Sequence, residues 1–381
     1  MSRRGENIRK RKDGRWEARV ITGYDVRNRA KYHSVYGKTY TEVKAKRNTL
    51  LESRLCGGEL HIPGYGTSHK VSFEQVCHEW LDVKQMNIKE SSYARYVHIV
   101  RKHLLPELGS CPYANVTADM LNEFLQMKLR EGGSTNKKGL APKTVADIRS
   151  VLIQISDFAK TKKYPSGING KIFFPKMYPP LIQILDKEEQ KRLEKYIFEK
   201  QSPFSIGILL ALYGGLRIGE ICSLRWGDIY LENNLVQIDK TLLRIQETNN
   251  ISNYPNKTKV LIDKPKTAHS IRIVPLPEFI INHLRTMEKS PDIYVITGTD
   301  YFMEPRTCLD KYKKILKTTG INDYTFHALR HTFATRCVEM GFDIKSLSEI
   351  LGHANINVTL QRYVHPSMEM KRRQMERLKP L

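Results

Sequence analysis

Alternation with a period of two opens the chain. Residues 8–12 and 15–22 read as extended runs on either side of an Asp13-Gly14 turn, and residues 31–36 supply a third, which predicts a small three-stranded sheet. Thr39 and Glu42 have capping-box spacing, and Val43, Leu50 and Leu51 fall on one side of a helix over 43–55. A module of about fifty residues has only a marginal core, so it is expected as a satellite. Gly57, Gly58, Pro63, Gly64 and Gly66 then break the pattern and predict a linker over 57–70.

Beyond Ser72 the period becomes helical, over 73–86, 91–105, 117–130 and 142–160. Thr117 and Thr144 stand near helix starts and Gly132-Gly133 closes the third helix, so an all-α domain is expected. Gly167, Gly170, Pro175, Pro179 and Pro180 mark a second linker. The remainder opens with helices over 186–200 and 205–213, passes through extended runs at 235–238, 259–262 and 270–274, and returns to helices from Pro277. That order predicts an α+β, mainly helical domain with a small antiparallel sheet. The expected multidomain division is 1–60, 70–170 and 180–381.

Composition adds a partner. Over 381 residues, 40% hydrophobic and 27% charged content is globular, not disordered, collagen-like or membrane-embedded. Lysine and arginine outnumber aspartate and glutamate by 63 to 40, a net charge of +23, and a surplus of that size usually meets a polyanion. Nucleic acid leads, with a merely soluble basic protein as the alternative. Residues 1–14 are basic and polar with no apolar stretch behind them, which argues against a secretory signal or membrane anchor and for a cytoplasmic, nucleoid-associated protein. Cys56, Cys77, Cys111, Cys222, Cys308 and Cys337 are scattered without zinc spacing and read as reduced, packing cysteines. No metal and no other cofactor is expected.

Four places in the last domain hold polar residues in unusual settings. In Gly214-Gly215-Leu216-Arg217-Ile218-Gly219-Glu220, an arginine follows the apolar run 206–212, and Glu220 lies one helical turn beyond Arg217. Lys266, in Lys264-Pro265-Lys266-Thr267, stands between two extended runs, where a hairpin tip would project it. His327 and Arg330 share one helix face at i,i+3 and can both hydrogen-bond one anion. Leu351-Gly352-His353 ends a helix at a glycine, and Tyr363 follows ten residues after His353. Each has a structural alternative: a surface ion pair, a solvated lysine, a buried histidine, a packing tyrosine. Together the cations form a phosphate-directed set in which arginine forks neutralise charge on phosphate oxygens, with tyrosine as candidate nucleophile.

Gly215-Leu216-Arg217-Ile218-Gly219-Glu220, Lys266, His327-x-x-Arg330-His331, Leu351-Gly352-His353 and Thr359-x-x-x-Tyr363-Val364-His365 resemble, in order, the signature of the tyrosine recombinases, the phage integrase family. Leu140-Ala141-Pro142-Lys143-Thr144-Val145 resembles part of that family's core-binding domain, and the N-terminal sheet and helix resemble its arm-binding domain. The resemblance implies that Arg217 and Arg330 clamp the scissile phosphate, with His327 and His353 hydrogen-bonding it. It implies Lys266 as general acid to the leaving 5′-hydroxyl, Tyr363 as the residue that forms a 3′-phosphotyrosyl bond, and Glu220 as the group that orients Arg217. The His353 position is histidine in many members and tryptophan in others. DNA contacts are implied for Lys143 and Thr144, and for Arg9, Arg11 and Arg15 on the N-terminal sheet.

An integrase or excisionase of a mobile element is the implied activity, acting without metal or ATP on core and arm-type sites of double-stranded DNA. The implied assembly is a homotetramer on DNA, with an accessory DNA-bending or excision factor as a further partner. Met368, Met375 and Leu378 fall within about 80° on a helical wheel, and the tail bearing them is expected to dock on a neighbouring copy. Two alternatives stand beside this: a type IB topoisomerase, which uses the same residue types to nick and reseal one duplex, and a non-catalytic DNA-binding regulator.

Overall fold

The computed structural model describes residues 8–11, 13–24, 30–55, 71–132, 139–176, 182–247, 258–264, 270–363, 372, 375 and 376. The chain divides into two compact units, Met1–Tyr178 and Pro179–Leu381. No described helix is long and apolar enough to cross a membrane.

The first unit begins with the antiparallel sheet β1 (Ile8–Lys10), β2 (Trp16–Tyr24) and β3 (Ala30–Gly37), followed by α1 (Tyr40–Leu55). The expected turn is present: Gly14 takes a positive φ of 85°, and the Arg11 N–H donates to the Arg15 carbonyl at 2.8 Å. At the start of α1, Thr39 Oγ1 accepts from the Glu42 N–H at 3.2 Å, and the Glu42 carboxylate accepts from the backbone N–H groups of Lys38 and Thr39, so the expected capping box is present. Ile8, Ala18 and Val43 form the small core between sheet and helix.

Helices α2 (Phe73–Asn87), α3 (Glu90–Ile99), α4 (Leu105–Leu108), α5 (Ala118–Glu131) and α6 (Pro142–Thr161) build the helical part of this unit. Ser72 and Thr117 cap α2 and α5 through their hydroxyls, and Gly132 ends α5. The expected single helix over 91–105 is interrupted by a π-helical turn at Val100–Leu104. Pro106 lies just beyond it; a proline ring collides with the carbonyl four residues back, and a widened turn relieves that clash.

Residues 164–176 correct the second-linker reading. They lie on the helical core: Gly167 bridges to Thr117, Asn122 Nδ2 donates to the Lys171 carbonyl at 3.2 Å, and Ile168, Ile172 and Phe173 pack on the cluster around Trp80 and Leu121. At Gly167 a Cβ would come within 3.0 Å of the Ala114 and Val116 carbonyl oxygens, so glycine lets backbone approach backbone there. Four cysteines, Cys77, Cys222, Cys308 and Cys337, are free and buried as expected. Cys111 is disulfide-bonded, which corrects the all-reduced reading; Cys56 and the first linker lie outside the described residues.

The second unit is organised around α8 (Pro203–Gly214), whose residues from Phe204 to Leu212 are buried on every face. Before it comes α7 (Lys187–Lys200), opened by a complete Asp186–Glu189 capping box, and after it α9 (Ile218–Ser223). Strands β4 (Ile229–Tyr230), β5 (Leu235–Ile238), β6 (Thr241–Gln246), β7 (Thr258–Asp263) and β8 (Arg272–Pro275) then form two antiparallel sheets, β4-β5-β8 and β6-β7. Helices α10 (Glu278–Arg285), α11 (Pro305–Thr318), α12 (His327–Glu339), α13 (Ile344–Leu351) and α14 (Ile356–Tyr363) complete it. The expected tail lies outside the described residues except for Arg372, Met375 and Glu376.

The sheet topology corrects the setting expected for Lys266. The runs on either side of it, β7 and β8, do not pair: β7 pairs with β6 and β8 with β5. Lys266 therefore belongs to a connection between two sheets, and the hairpin partner of β7 is the strand Thr241–Gln246, which the local pattern did not reveal. Residues 265–269 themselves lie outside the described residues.

Candidate active site

Arg217 sits at the junction of α8 and α9. Gly215 takes a positive φ of 64°, and a Cβ there would come within 2.7 Å of the Phe333 ring and 2.8 Å of Leu351, so glycine alone fits this turn. The Glu220 carboxylate, at the third position of α9, accepts from the Arg217 N–H at 2.9 Å and from its guanidinium at 2.7 Å. The local i,i+3 spacing thus delivers the expected Arg217–Glu220 pair.

A second arginine on Glu220 was not foreseen. Arg272 of β8 grips the same carboxylate with two bonds of 3.0 and 2.9 Å, and its Nε donates to the Ile350 carbonyl at 2.6 Å. Burial alone would raise the Glu220 carboxyl, but Arg272 and then Arg217 outweigh it and hold it at about 2. The signal was a charged residue at an inward position of a strand whose burial alternates, Arg272 with Val274. Because Arg272 is buried, Glu220→Ala would leave its charge uncompensated. Loss of about 3–5 kcal/mol of unfolding free energy in urea is expected; an unchanged midpoint would contradict the clamp.

Arg330 and His327 come from the first turn of α12. Arg330 is only 1% exposed and donates to the carbonyls of Gly215 and Leu351, each at 2.6 Å. Burial and then the Arg217 charge push its pKa down to about 9, still high enough to keep it cationic at neutral pH. Arg217 is the more accessible guanidinium, with its side chain 35% exposed. His327 has an exposed edge yet is crowded on its other sides; burial, then His331 and the neighbouring arginines, push its imidazole down to about 4.

Gly352 ends α13 with a φ of 63°, turning the chain so that His353 enters the site. His353 Nε2 lies 3.0 Å from the Arg330 guanidinium, and Nδ1 lies 2.8 Å from the buried Thr359 hydroxyl. A guanidinium only donates, so Nε2 is the acceptor and Nδ1 carries the hydrogen. In this tautomer His353 holds Arg330, and burial followed by the arginine charges pushes its pKa down to about 3. Thr359, which opens the Thr359-x-x-x-Tyr363 motif, is a supporting group whose role the local pattern did not reveal.

Tyr363 ends α14, 5% exposed, with its hydroxyl 2.6 Å from His331 Nδ1 and its ring parallel to that of His353 at 6.5 Å. Burial raises its pKa while Arg330, Arg362 and Arg217 act to lower it. Arg217, Glu220, His327, Arg330, His353 and Tyr363 are thus assembled within one unit. Beside them runs a cleft lined by Arg217, Thr241, Arg244, Arg306 and His327, where Arg244 is held by Glu304.

The remaining expected DNA contacts belong to the first unit. Arg9, Glu17 and Tyr36 are cross-strand neighbours on the sheet face opposite the core. Glu17 is covered by arginine side chains more than sunk into an interior. Burial would raise it, but hydrogen bonds from Arg19, Arg9 and Ser34 hold it at about 2. Arg11 and Arg15 both lie over the Tyr36 ring, at 5.5 and 5.9 Å, and Arg15 also pairs with Asp13. Lys143 and Thr144 stand in the first turn of α6; Lys143 is exposed and pairs with Asp147 at 3.3 Å.

Two arginine guanidiniums near a buried tyrosine are the kind of groups that phosphoryl transfer through a covalent nucleophile uses. Residues 176–370, just over half of the chain, match the phage integrase family, and residues 72–129 match the phage integrase N-terminal SAM-like domain. The chain belongs to the phage integrase family, the tyrosine recombinases, enzymes that cleave and rejoin DNA.

A XerC-like tyrosine recombinase of Caldanaerobacter subterraneus subsp. tengcongensis is 26% identical over 95% of both chains. The transposase of transposon Tn916 from Enterococcus faecalis is 33% identical over 45% of this chain and 44% of its own. In fold, the chain is similar to the Tn1549 transposon integrase solved with circular intermediate DNA, with a TM-score of 0.61, 23% identity, and coverage of 80% of this chain and 99% of that one. It is also similar to a lambda integrase tetramer solved on a Holliday junction, with a TM-score of 0.56, 16% identity, and coverage of 94% and 96%.

Proposed function

We propose that this chain is the site-specific recombinase of a mobile element, with Tyr363 as the nucleophile that leaves a 3′-phosphotyrosyl bond. The observation that carries this is the seat of the Tyr363 hydroxyl, bonded to His331 and within the field of Arg330, Arg362 and Arg217. In this reading Arg217 and Arg330 bind the scissile phosphate, His327 hydrogen-bonds it, His353 keeps Arg330 in place, and Glu220 orients Arg217. Lys266 protonates the leaving 5′-oxygen. Because the phosphotyrosyl bond keeps the energy of the broken phosphodiester, rejoining needs no nucleotide hydrolysis.

The DNA partner follows from charge and from relatives solved on DNA. Core DNA is contacted by Lys143 and Thr144 and by the catalytic unit, and arm-type sites by the face bearing Arg9, Arg11 and Arg15. The division into 1–60, 70–170 and 180–381 assigns these tasks to separate domains. A tetramer on DNA, held in part by tail docking and aided by an accessory bending or excision factor, completes the reading and implies a nucleoid-associated enzyme. A type IB topoisomerase is disfavoured by the N-terminal sheet module, since a second DNA-binding site serves an enzyme that bridges two DNA segments.

Covalent capture tests the proposal. The full chain is incubated with a randomised nicked-duplex library, denatured and digested, and the DNA-linked peptide is identified. An adduct on Tyr363 at a recurrent sequence supports a recombinase. Adducts without sequence preference, together with supercoil relaxation, favour the topoisomerase, and no adduct favours the regulator.

A further inference from the structure

His331 has no part in the roles assigned above, yet its Nδ1 lies 2.6 Å from the Tyr363 hydroxyl oxygen. We propose that His331 is the general base of strand cleavage, taking the Tyr363 phenolic hydrogen on Nδ1 as the hydroxyl oxygen attacks phosphorus. This rests on the reading of Tyr363 as the nucleophile.

The contact is inside the range of about 2.6–3.2 Å in which a base takes a proton directly, with no water needed between them. Its direction follows from the neighbours. Arg362 also acts on Tyr363, lowering its pKa, and a guanidinium can only donate, so it cannot take the phenolic hydrogen, which is left for His331. The competing histidine is engaged elsewhere: both ring nitrogens of His353 are held, by Arg330 and Thr359. The His327 ring meets His331 edge-on, 4.4 Å between centres, and fixes its plane.

The surroundings set when the base works. Helix α12 packs on α8, α13 and α14. The groups facing His331 are His327 and Arg330 from its own helix and Arg362 and Tyr363 from α14; α8 has no charged side chain, and no charge on α13 acts on it. Burial, then Arg362 and Arg330, push the imidazole down to about 4, so at neutral pH it is an uncharged acceptor but a weak base. A phosphodiester seated on Arg330 brings a negative charge that offsets those cations. Base strength therefore rises when substrate arrives.

The step balances as a proton relay. The Tyr363 oxygen forms its bond to phosphorus while the O–H electrons stay on that oxygen and the proton moves to Nδ1. The bond from phosphorus to the 5′-oxygen breaks with its electron pair on that oxygen, which is protonated by the general acid. On rejoining, the 5′-hydroxyl bonds to phosphorus and gives its proton back to the general acid, while the bond from phosphorus to the Tyr363 oxygen breaks with its electron pair on that oxygen and His331 returns its proton there. Nothing is oxidised or reduced.

The test uses the full chain and a nicked duplex recovered by covalent capture with the wild type. His331→Ala and His331→Gln should bind it as tightly as the wild type, while single-turnover cleavage at pH 7 falls about 10²–10⁴-fold. The deficit should shrink as pH rises and hydroxide replaces the base. It should also shrink when 3-fluorotyrosine, a more acidic phenol, replaces Tyr363. Cleavage as fast as or faster than wild type overturns the proposal, as does a deficit that neither pH nor fluorotyrosine moves. If the substituted chains do not fold, the wild-type sequence with 3-fluorotyrosine decides. The acid limb of its pH profile should stay in place, because it belongs to His331; a limb that moves down with the phenol shows unaided ionisation and overturns it. An adduct that never maps to Tyr363 fails the nucleophile reading instead, so the two failures are distinguishable.

Discussion

Tyr363→Phe should bind DNA as the wild type does and form no covalent adduct. Only the phenolic oxygen is removed, while the ring that packs parallel to His353 is kept. Removing a covalent nucleophile costs several orders of magnitude even where neighbouring groups survive, so cleavage should fall by at least about 10⁴-fold. The fold should tolerate the change, because the group left behind is one His331 nitrogen in a half-buried position, a penalty of about 1–3 kcal/mol at most. Gel shift measures the affinity, and denaturing electrophoresis of labelled DNA measures the adduct. Persistent adducts would point to another nucleophile, with Tyr324 the first to examine. That side chain is already committed, its hydroxyl donating to Glu189 at 2.9 Å.

Tyr363 and the groups around it separate what local pattern reveals from what it hides. The expected Arg217–Glu220 and His327–Arg330 pairs are set by helical spacing, and Gly352 by a helix end, so each was legible along the chain. Arg272 was not, because its partner Glu220 comes from a distant helix and only burial of a charged strand position marks it. The roles of Thr359 and His331, both within the family signature, were hidden for a similar reason. Their partners, His353 and Tyr363, are reached through the packing of α12, α13 and α14. His331 is also adjacent to Arg330, off the i,i+3 face that drew attention.

Helix positions followed the same division. The ends marked by Thr117 and Gly132 lie where their caps predict, since capping is a local interaction. Strand pairing is non-local. The same extended run at β7 can pair forward or backward without changing its own alternation, so the hairpin expected around Lys266 went to β6 instead.

That topology sharpens the second large effect. Lys266 lies between β7, which ends at Asp263, and β8, whose Arg272 grips the carboxylate that orients Arg217. The connection is therefore tied to the site at its β8 end, and Lys264, two residues away from Lys266, is the competing lysine. A general acid matters only where the leaving oxygen needs a proton. Lys266→Ala should cleave ordinary DNA about 10²–10⁴-fold more slowly than the wild type. It should recover on a duplex with sulfur at the 5′-bridging position, since a thiolate leaves unprotonated. Arg217→Ala should stay slow on both substrates, because it loses stabilisation of charge on the nonbridging oxygens, worth about 10²–10³ in rate. Rescue of Lys264→Ala with none for Lys266→Ala would move the acid to Lys264. Failure to rescue either lysine would take the proton donor out of this connection altogether.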